Sequence, residues 1–432
     1  MEKISTNLIK LAETAKINNE KVYIVGGFIR NYLLKSYKTD IDLCGTMSTQ
    51  EICKIAGRVG FSTQVVNEKL GTVLLTGFGE QYEYTPFRRD EYEKGGFHTP
   101  TKVEFVKDLE VDVARRDFTI NTLYYDIVEN KLIDIFNGQK DIKHKLIKCI
   151  VSPKHVFSSD GLRILRLIRF ASELDLNIEK ETYKSAKKYS YQLKDISKER
   201  IVKELKLMVV SDTRNDYDAK AHVKAIKLIN SLGLWKYILN YDFKKFKVVT
   251  RGEVFKMYKN CKPENRFNAL ICLMFYSIFK SFKFNDQLIE FYLNTILGVE
   301  GFKLQKSIPN IRNIIYVLRE LTSKPKASVY NYNKLCIMYE NLSDDNKNII
   351  RSGFDMLEIE QNIDEMQSQK IPFKQSDLAI TSKELMDLKI ANKNLKRVYN
   401  IITFEIVSMS LKNNKQEIIN FVKNNLTEYI TK

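Results

Sequence analysis

Six cysteines, four histidines, seven prolines and one tryptophan are few for a chain of 432 residues. The cysteines (44, 53, 149, 261, 272 and 336) are scattered without a CxxC pair, so neither a disulfide framework nor a structural zinc site is expected. The histidines (98, 144, 155 and 222) form no HD, HxH or HExxH pair, which argues against a histidine-centred metallohydrolase. No apolar run is long enough to cross a bilayer. The longest charge-free stretch at an apolar peak, Phe267 to Phe279, has 13 residues and predicts a buried helix instead. The N-terminus mixes charges throughout and shows no secretory signal, so a reducing cytoplasm is the expected compartment and no membrane is implied. Hydrophobics at 44% and charged residues at 28% are ordinary for a folded chain and exclude a disordered or collagen-like one.

What the chain has is positive charge in one place. Lysine and arginine number 70 against 53 acidic residues, a net of +17. Residues 1–140 hold 19 basic and 20 acidic side chains, and residues 331–432 hold 14 of each. Residues 141–330 hold 37 basic and 19 acidic, a net of +18, so the surplus lies in the middle. A solvated lysine-rich surface does not explain neutral ends. A polyanionic partner does, and nucleic acid is the first candidate.

The pattern changes along the chain. Lys21–Val25 is a β-branched and aromatic run ending in Gly26-Gly27, and Phe28–Lys35 has helical spacing. Asp40–Leu43, Thr72–Thr76, Tyr82–Phe87 and Lys102–Val106 are strand candidates. The polar, Gly-paired segment 88–101 predicts a mobile loop. From about 155 onward the spacing is helical and stays so. The fold class is therefore α+β, a small mixed-sheet head followed by an elongated all-α remainder. The segments are a head at 1–150, a neck at 151–215, a body at 216–330 and a tail at 331–432.

Four constellations carry chemistry. Gly26-Gly27 at a strand-to-helix junction lets backbone N–H groups approach a phosphate, with Arg30 one turn on. In the same constellation Asp40 and Asp42, two apart on a predicted strand, project from one face, and such a carboxylate pair suits a hard cation such as Mg²⁺. Asp117 and Asn121 are one turn apart on a predicted helix, behind Arg115 and Arg116, whose forked donors match a triphosphate. Arg163, Arg166 and Arg169 recur every third residue, with Asp160 three before the first, on a predicted helix face. Ser197-Lys198-Glu199-Arg200 opens an amphipathic helix with a Ser N-cap.

In order and spacing these blocks resemble the motifs of class II tRNA nucleotidyltransferases, the CCA-adding enzymes, a branch that also contains bacterial poly(A) polymerases. VGGFIRNYLL…TDIDL is similar to the family's GGxxRDxLL…DxDL, and RRDFTINTLYYD to RRDFTINALAYD. DGLRILRLIRFASELDLNIEKET is similar to EDxLRILRxxRFAxxLxFxIExET, and SKERIVKEL to SxERIxxEL, covering about residues 20–210. In the tail, Leu378–Met386 is similar to LxISGxDLM.

The resemblance implies a nucleotidyltransferase head that adds C, C and A to tRNA 3′ ends from CTP and ATP, with no obligate protein partner. Asp40 and Asp42 would bind two Mg²⁺ ions, with Glu83 a possible third carboxylate. Gly27 and Arg30 would hold the triphosphate, and Arg116, Asp117 and Asn121 the sugar and phosphates. Asp160 and Arg163 would read the base, Arg166 and Arg169 would brace the phosphates and Arg163, and Glu199 would orient neck side chains. Four departures stand out: Ser159 where Glu is common, Gly161 where Pro or Ala is common, which is expected to loosen the helix start, Asn31 for Asp, and Ala391–Asn394 for a Gly/Pro-rich turn. The alternatives are a poly(A) polymerase with the same head, a CC-only or A-only enzyme, and a non-catalytic RNA-binding protein. The loop at 88–101 speaks against the CC-only branch, and the intact carboxylates against simple RNA binding.

Overall fold

A computed structural model describes residues 4–36, 40–91, 101–214, 221–241, 246–282, 286–323 and 328–430. The chain divides into two compact units, residues 1–247 with 301–303, and residues 248–300 with 304–432.

The first unit is built on a seven-stranded mixed sheet. Its strands are β1 (Val22–Val25), β2 (Asp42–Gly45), β3 (Ser62–Asn67), β4 (Thr72–Gly77) and β5 (Glu80–Pro86), with two more beyond the 88–105 region. A separate hairpin pairs β6 (Arg88–Glu91) with β7 (Lys102–Phe105), and β8 (Tyr124–Asp126) and β9 (Lys131–Ile133) complete the main sheet. The order is β3-β4-β5-β2-β1-β8-β9. All neighbours are antiparallel except β2 and β5, which run parallel. All four residues of β1 are buried, as befits a central strand with both faces covered. Strand β5 instead alternates, with Tyr82, Tyr84 and Pro86 inward and Gln81 and Glu83 outward. Helices α1 (Thr6–Ile17), α2 (Gly27–Leu33) and α3 (Thr49–Val59) interleave with the early strands, and Tyr23, Phe87 and Tyr124 pack as an aromatic trio at the sheet centre. The short α4 (Leu109–Ala114) joins the same core through Val113.

Three segments differ from the sequence expectation. The segment 88–101 is not wholly a loop, because its first four residues form β6. Residues 92–100 lie outside the described residues. Strand β2 starts at Asp42, so the alternation that was to put Asp40 on the same face does not reach it. Asp117 and Asn121 do not share an α-helix, since α4 ends at Ala114 and a 3₁₀ turn spans Thr119–Asn121.

Helix α5 (Gly138–Lys143) leads to a short strand β10 (Leu146–Ile147), and α6 (Pro153–Ser159) and α7 (Leu162–Glu173) follow. The helical run is then interrupted by β11 (Asn177–Ile178), which pairs in parallel with β10. Its two residues are too few to show a period in sequence. Helices α8 (Lys180–Lys188), α9 (Lys198–Val209), α10 (Ala221–Leu232) and α11 (Trp235–Ile238) complete the unit, with α9 and α10 both packed on α7.

Among its described residues the second unit holds helices and one isolated bridge, Ile390 with Ile430. The helix predicted at Phe267–Phe279 spans Arg266–Phe282, and Leu270 to Phe275 are all at most 1% exposed. The motif at Leu378–Met386 has a local logic. Thr381 and Glu384 form a capping box that starts the helix Ser382–Asp387. Asn392–Asn394 forms a 3₁₀ turn ahead of the helix Leu395–Val407. No helix among the described residues is long and apolar enough to cross a membrane.

Candidate active site

The end of β1 and the start of β2 create a cleft in the first unit. Val25 is followed by Gly26, whose φ of +73° lies in the left-handed region that L side chains avoid, and α2 begins at the next residue. Antiparallel pairing sets Asp42 opposite Val25, and parallel pairing sets Asp42 opposite Glu83. Two carboxylates 41 positions apart in sequence are thus neighbours at the mouth of a cavity of about 550 Å³. Asp42 keeps solvent access, yet its carboxyl is set down between the cleft walls. This desolvation, followed by repulsion from Glu83 and Asp40, pushes its pKa up to about 6 against the pull of Arg116 and Arg30. Asp40 itself is exposed and precedes the strand.

Guanidinium groups and their anchors fill the rest of the cleft. Arg30 is buried and donates from its ε-nitrogen to Asn31 Oδ1 (3.0 Å) and from Nη1 to Asn121 Oδ1 (2.6 Å). Asn121 Nδ2 donates to Asp117 Oδ1 (2.9 Å), and Arg166 Nε donates to Asp117 Oδ2 (2.8 Å). Asp117 and Asn121 therefore meet as expected, although through a turn rather than a helix. Burial would raise the Asp117 pKa, but Arg166, Asn121 and Arg163 hold it down to about 2. Phe170 was not singled out in sequence, yet its ring collects Arg30 at 4.9 Å, Arg166 at 5.2 Å and Arg169 at 4.2 Å from its centroid. An aromatic next to an arginine ridge was the available signal.

Asp112 is the other anchor that sequence reasoning missed. It is fully buried on α4 and accepts from Arg115 Nε (2.8 Å), Arg116 Nη2 (3.1 Å) and the Tyr124 hydroxyl (2.5 Å). Burial alone would raise its pKa, but Arg116 and Arg115 hold it down to about 2. Arg116 also donates to the Tyr124 hydroxyl (2.6 Å). Arg115 reaches Asp90 of the β6–β7 hairpin (3.7 Å), which also pairs with Arg88 (2.9 Å). The spacing of Asp112 from Arg115 and Arg116, three and four residues, was the visible clue.

Asp160 and Arg163 both line the cleft, but not from one helix face. Asp160 is extended between α6 and α7, and its Oδ1 accepts from the Leu162 N–H (2.9 Å) at the start of α7. Arg163 is oriented by the Arg115 carbonyl (2.9 Å) and Ser159 Oγ (3.4 Å). Gly161 sits against the chain at Gln192. An added Cβ would lie 2.6 Å from the Gln192 carbonyl oxygen, so the glycine is a close-approach residue and not a loose helix start.

Arg169 does not line the cleft. It is buried against Glu204 (2.8 Å) and Glu173 (3.3 Å), and its guanidinium lies over the ring of Phe170, which does line the cleft. Glu199 is exposed and pairs with Lys303, while its neighbour Arg200 is the α9 residue that lines the cleft. Ser197 precedes α9 but makes no side-chain cap bond.

A divalent cation fits the chemistry of the donor set. Asp42 and Glu83 are adjacent and Asp40 is close enough to perturb Asp42, a crowding that a hard cation relieves. Among the described residues no three acidic, cysteine or histidine groups are gathered tightly enough to form a complete cage. Mg²⁺ sites that share ligands with substrate phosphates need no such cage.

Comparison with known proteins gives the same picture. Residues 22–148 match the poly A polymerase head domain family, and residues 175–241 match the family described as the probable RNA and SrmB-binding site of polymerase A. In overall fold the chain is similar to the Bacillus stearothermophilus CCA-adding enzyme in complex with CTP (TM-score 0.60, 20% identity, 98% of this chain and 99% of that one). It is likewise similar to the Thermotoga maritima CCA-adding enzyme complexed with tRNA (TM-score 0.59, 19% identity, 98% and 97%). The CCA-adding enzyme of Staphylococcus saprophyticus is 30% identical over 429 residues, covering 96% of this chain and 98% of that protein. With a likeness that runs the length of both sequences and a cleft built from the motif residues, the chain belongs to the CCA-adding enzyme family.

Proposed function

We propose that this protein adds C, C and A to the 3′ end of tRNA, taking the nucleotides from CTP and ATP and releasing pyrophosphate. The observation that carries the reading is one cleft with neighbouring carboxylates on one wall and anchored guanidinium groups on the others. Binding of RNA alone would not call for Asp42 and Glu83 side by side at a phosphate site.

Asp40, Asp42 and Glu83 would hold two Mg²⁺ ions, which when bound supply charge neutralisation for an in-line displacement at the α-phosphate. The chain's own residues position the reactants. The Gly26-Gly27 turn and Arg30 receive the triphosphate, and Arg116, fixed by Asp112 and Tyr124, faces the same anion. Asp117 and Asn121 hold Arg30 and Arg166 in place, beside the sugar. Arg169 acts as a positioning residue through its contact with the Phe170 ring.

Base choice falls to Asp160 and Arg163. Cytosine and adenine each offer an exocyclic amine beside a ring acceptor. A carboxylate accepts from the amine and a guanidinium donates to the ring nitrogen. Uracil and guanine place a carbonyl oxygen against the carboxylate, and the unpaired acceptors cost about 1–3 kcal/mol.

Asp42→Ala tests the assignment. Nucleotide transfer should be lost while tRNA binding by filter retention stays near that of the unaltered protein. Retention of more than about a tenth of the rate, a loss of under about 1.4 kcal/mol in barrier, would remove Asp42 as an essential ligand.

A further inference from the structure

The cleft arginines differ in how they are held. Arg30, Arg88, Arg115, Arg116, Arg163 and Arg166 each donate to a named carboxylate, amide, carbonyl or hydroxyl oxygen of the protein. Arg200 lines the same cleft, yet its Nη1 is buried with no hydrogen-bond partner. A buried donor of a charged group is costly to leave unmatched, so an acceptor oxygen from outside the chain, water or a bound anion, is called for here. Its position in the helix is also unfavourable. Arg200 stands in the first turn of α9, where the helix dipole disfavours a cation. Neither feature favours an arginine here through the helix itself.

We infer that Arg200 receives a phosphodiester at the 3′ end of the RNA strand being extended, with Lys203 continuing the contact outward. A guanidinium carries donors only, so the missing partner is an acceptor oxygen. The proposed triphosphate groups come from the head, and the proposed base-reading pair from the α6–α7 junction. The remaining anion in a complex of enzyme, nucleotide and RNA is the RNA backbone. Lys203 lies three residues on, on the same side of α9, and is exposed, so the two cations lead from cleft to surface. They also lie inside the stretch 141–330, which carries the net charge of +18. This inference rests on the proposed function, because it presumes an RNA primer.

The test is steady-state kinetics of CTP addition to tRNA lacking CCA, with Arg200→Gln and Arg200→Lys, and Lys203→Ala as an independent variant. Arg200→Gln should raise the KM for tRNA by roughly ten- to a hundredfold, the worth of a charge-assisted hydrogen bond. The KM for CTP and the preference for CTP over UTP should stay unchanged. The slope of log affinity for tRNA against log salt should become shallower by about one, and Lys203→Ala should shift it in the same direction. Arg200→Lys should recover part of the tRNA affinity. A rise in the CTP KM or altered base choice with unchanged tRNA affinity would assign Arg200 to the nucleotide and overturn the inference. Unchanged kinetics in every variant would overturn it too. If the unaltered protein adds no nucleotide to tRNA, the proposed function fails instead. Should Arg200→Gln not fold, the salt slope of Lys203→Ala decides, an unchanged slope contradicting the inference.

Discussion

Asp112 touches no substrate in this account, yet replacing it by asparagine should damage both the fold and the site. Its carboxylate is fully buried and holds Arg115, Arg116 and the Tyr124 hydroxyl. Removing one partner of a buried ion pair typically costs about 3–5 kcal/mol, because the remaining charge has lost its compensation. Arg115 retains Asp90 and Arg116 retains Tyr124, which places the expected loss toward the lower figure. For a unit of this size each kcal/mol lowers the melting temperature by about 2–4 °C, so a fall of roughly 6–12 °C is expected in the transition of the first unit. The acid limb of stability should change as well. The Asp112 pKa is held near 2, below its ordinary value, so its contribution is complete above about pH 4 and is lost as pH falls toward 2. That contribution amounts to roughly 2 kcal/mol, and Asp112→Asn should abolish this part of the pH dependence. Scanning calorimetry at pH 7 and across the acid range measures both effects, with the KM for CTP reporting the disturbance of Arg116. A melting shift under about 2 °C with an unchanged acid limb would refute the view that Asp112 anchors the arginine wall.

Two further substitutions probe the neck side of the cleft. Gly161→Ala should cost about 1–3 kcal/mol through the clash with the Gln192 backbone and should lower kcat/KM for CTP and ATP together by displacing Asp160; a variant with full activity and stability would show that this contact yields easily. Asp160→Asn keeps an oxygen for the Leu162 N–H but removes the charge, so kcat/KM measured with all four nucleotides should show the preference over UTP and GTP eroded by roughly tenfold, whereas wild-type selectivity would move base reading elsewhere.

The motif blocks and the strand–glycine–helix junction were legible because they depend on short-range chemistry. A positive φ demands glycine at position 26, and the buried helix Arg266–Phe282 follows from an apolar run. What depended on long-range pairing was legible only in part. Glu83 was named as a possible third carboxylate, but its place directly beside Asp42 is set by a parallel register between strands 41 residues apart, which no local pattern encodes. Strand β6 reads Arg-Arg-Asp-Glu, four charges without alternation, and exists because its backbone pairs with β7. Asp160 was misplaced for a different reason. Sequence periodicity runs on from α6 into α7 without showing the extended residue between them, and only the side-chain bond to the Leu162 N–H reveals the break. The two anchors Asp112 and Phe170 gather groups from several elements, so their importance emerged only once those elements were brought together.

On the proposed function, one protein adds all three nucleotides in a fixed order. The most direct measurement supplies the purified protein and Mg²⁺ with a tRNA lacking its terminal CCA, adds CTP alone, ATP alone or both, and sequences the 3′ ends. Two C residues with CTP alone, a completed CCA with both and no long run of any nucleotide are expected. A poly(A) extension with ATP, or products that stop at CC when both nucleotides are present, would contradict the proposed function.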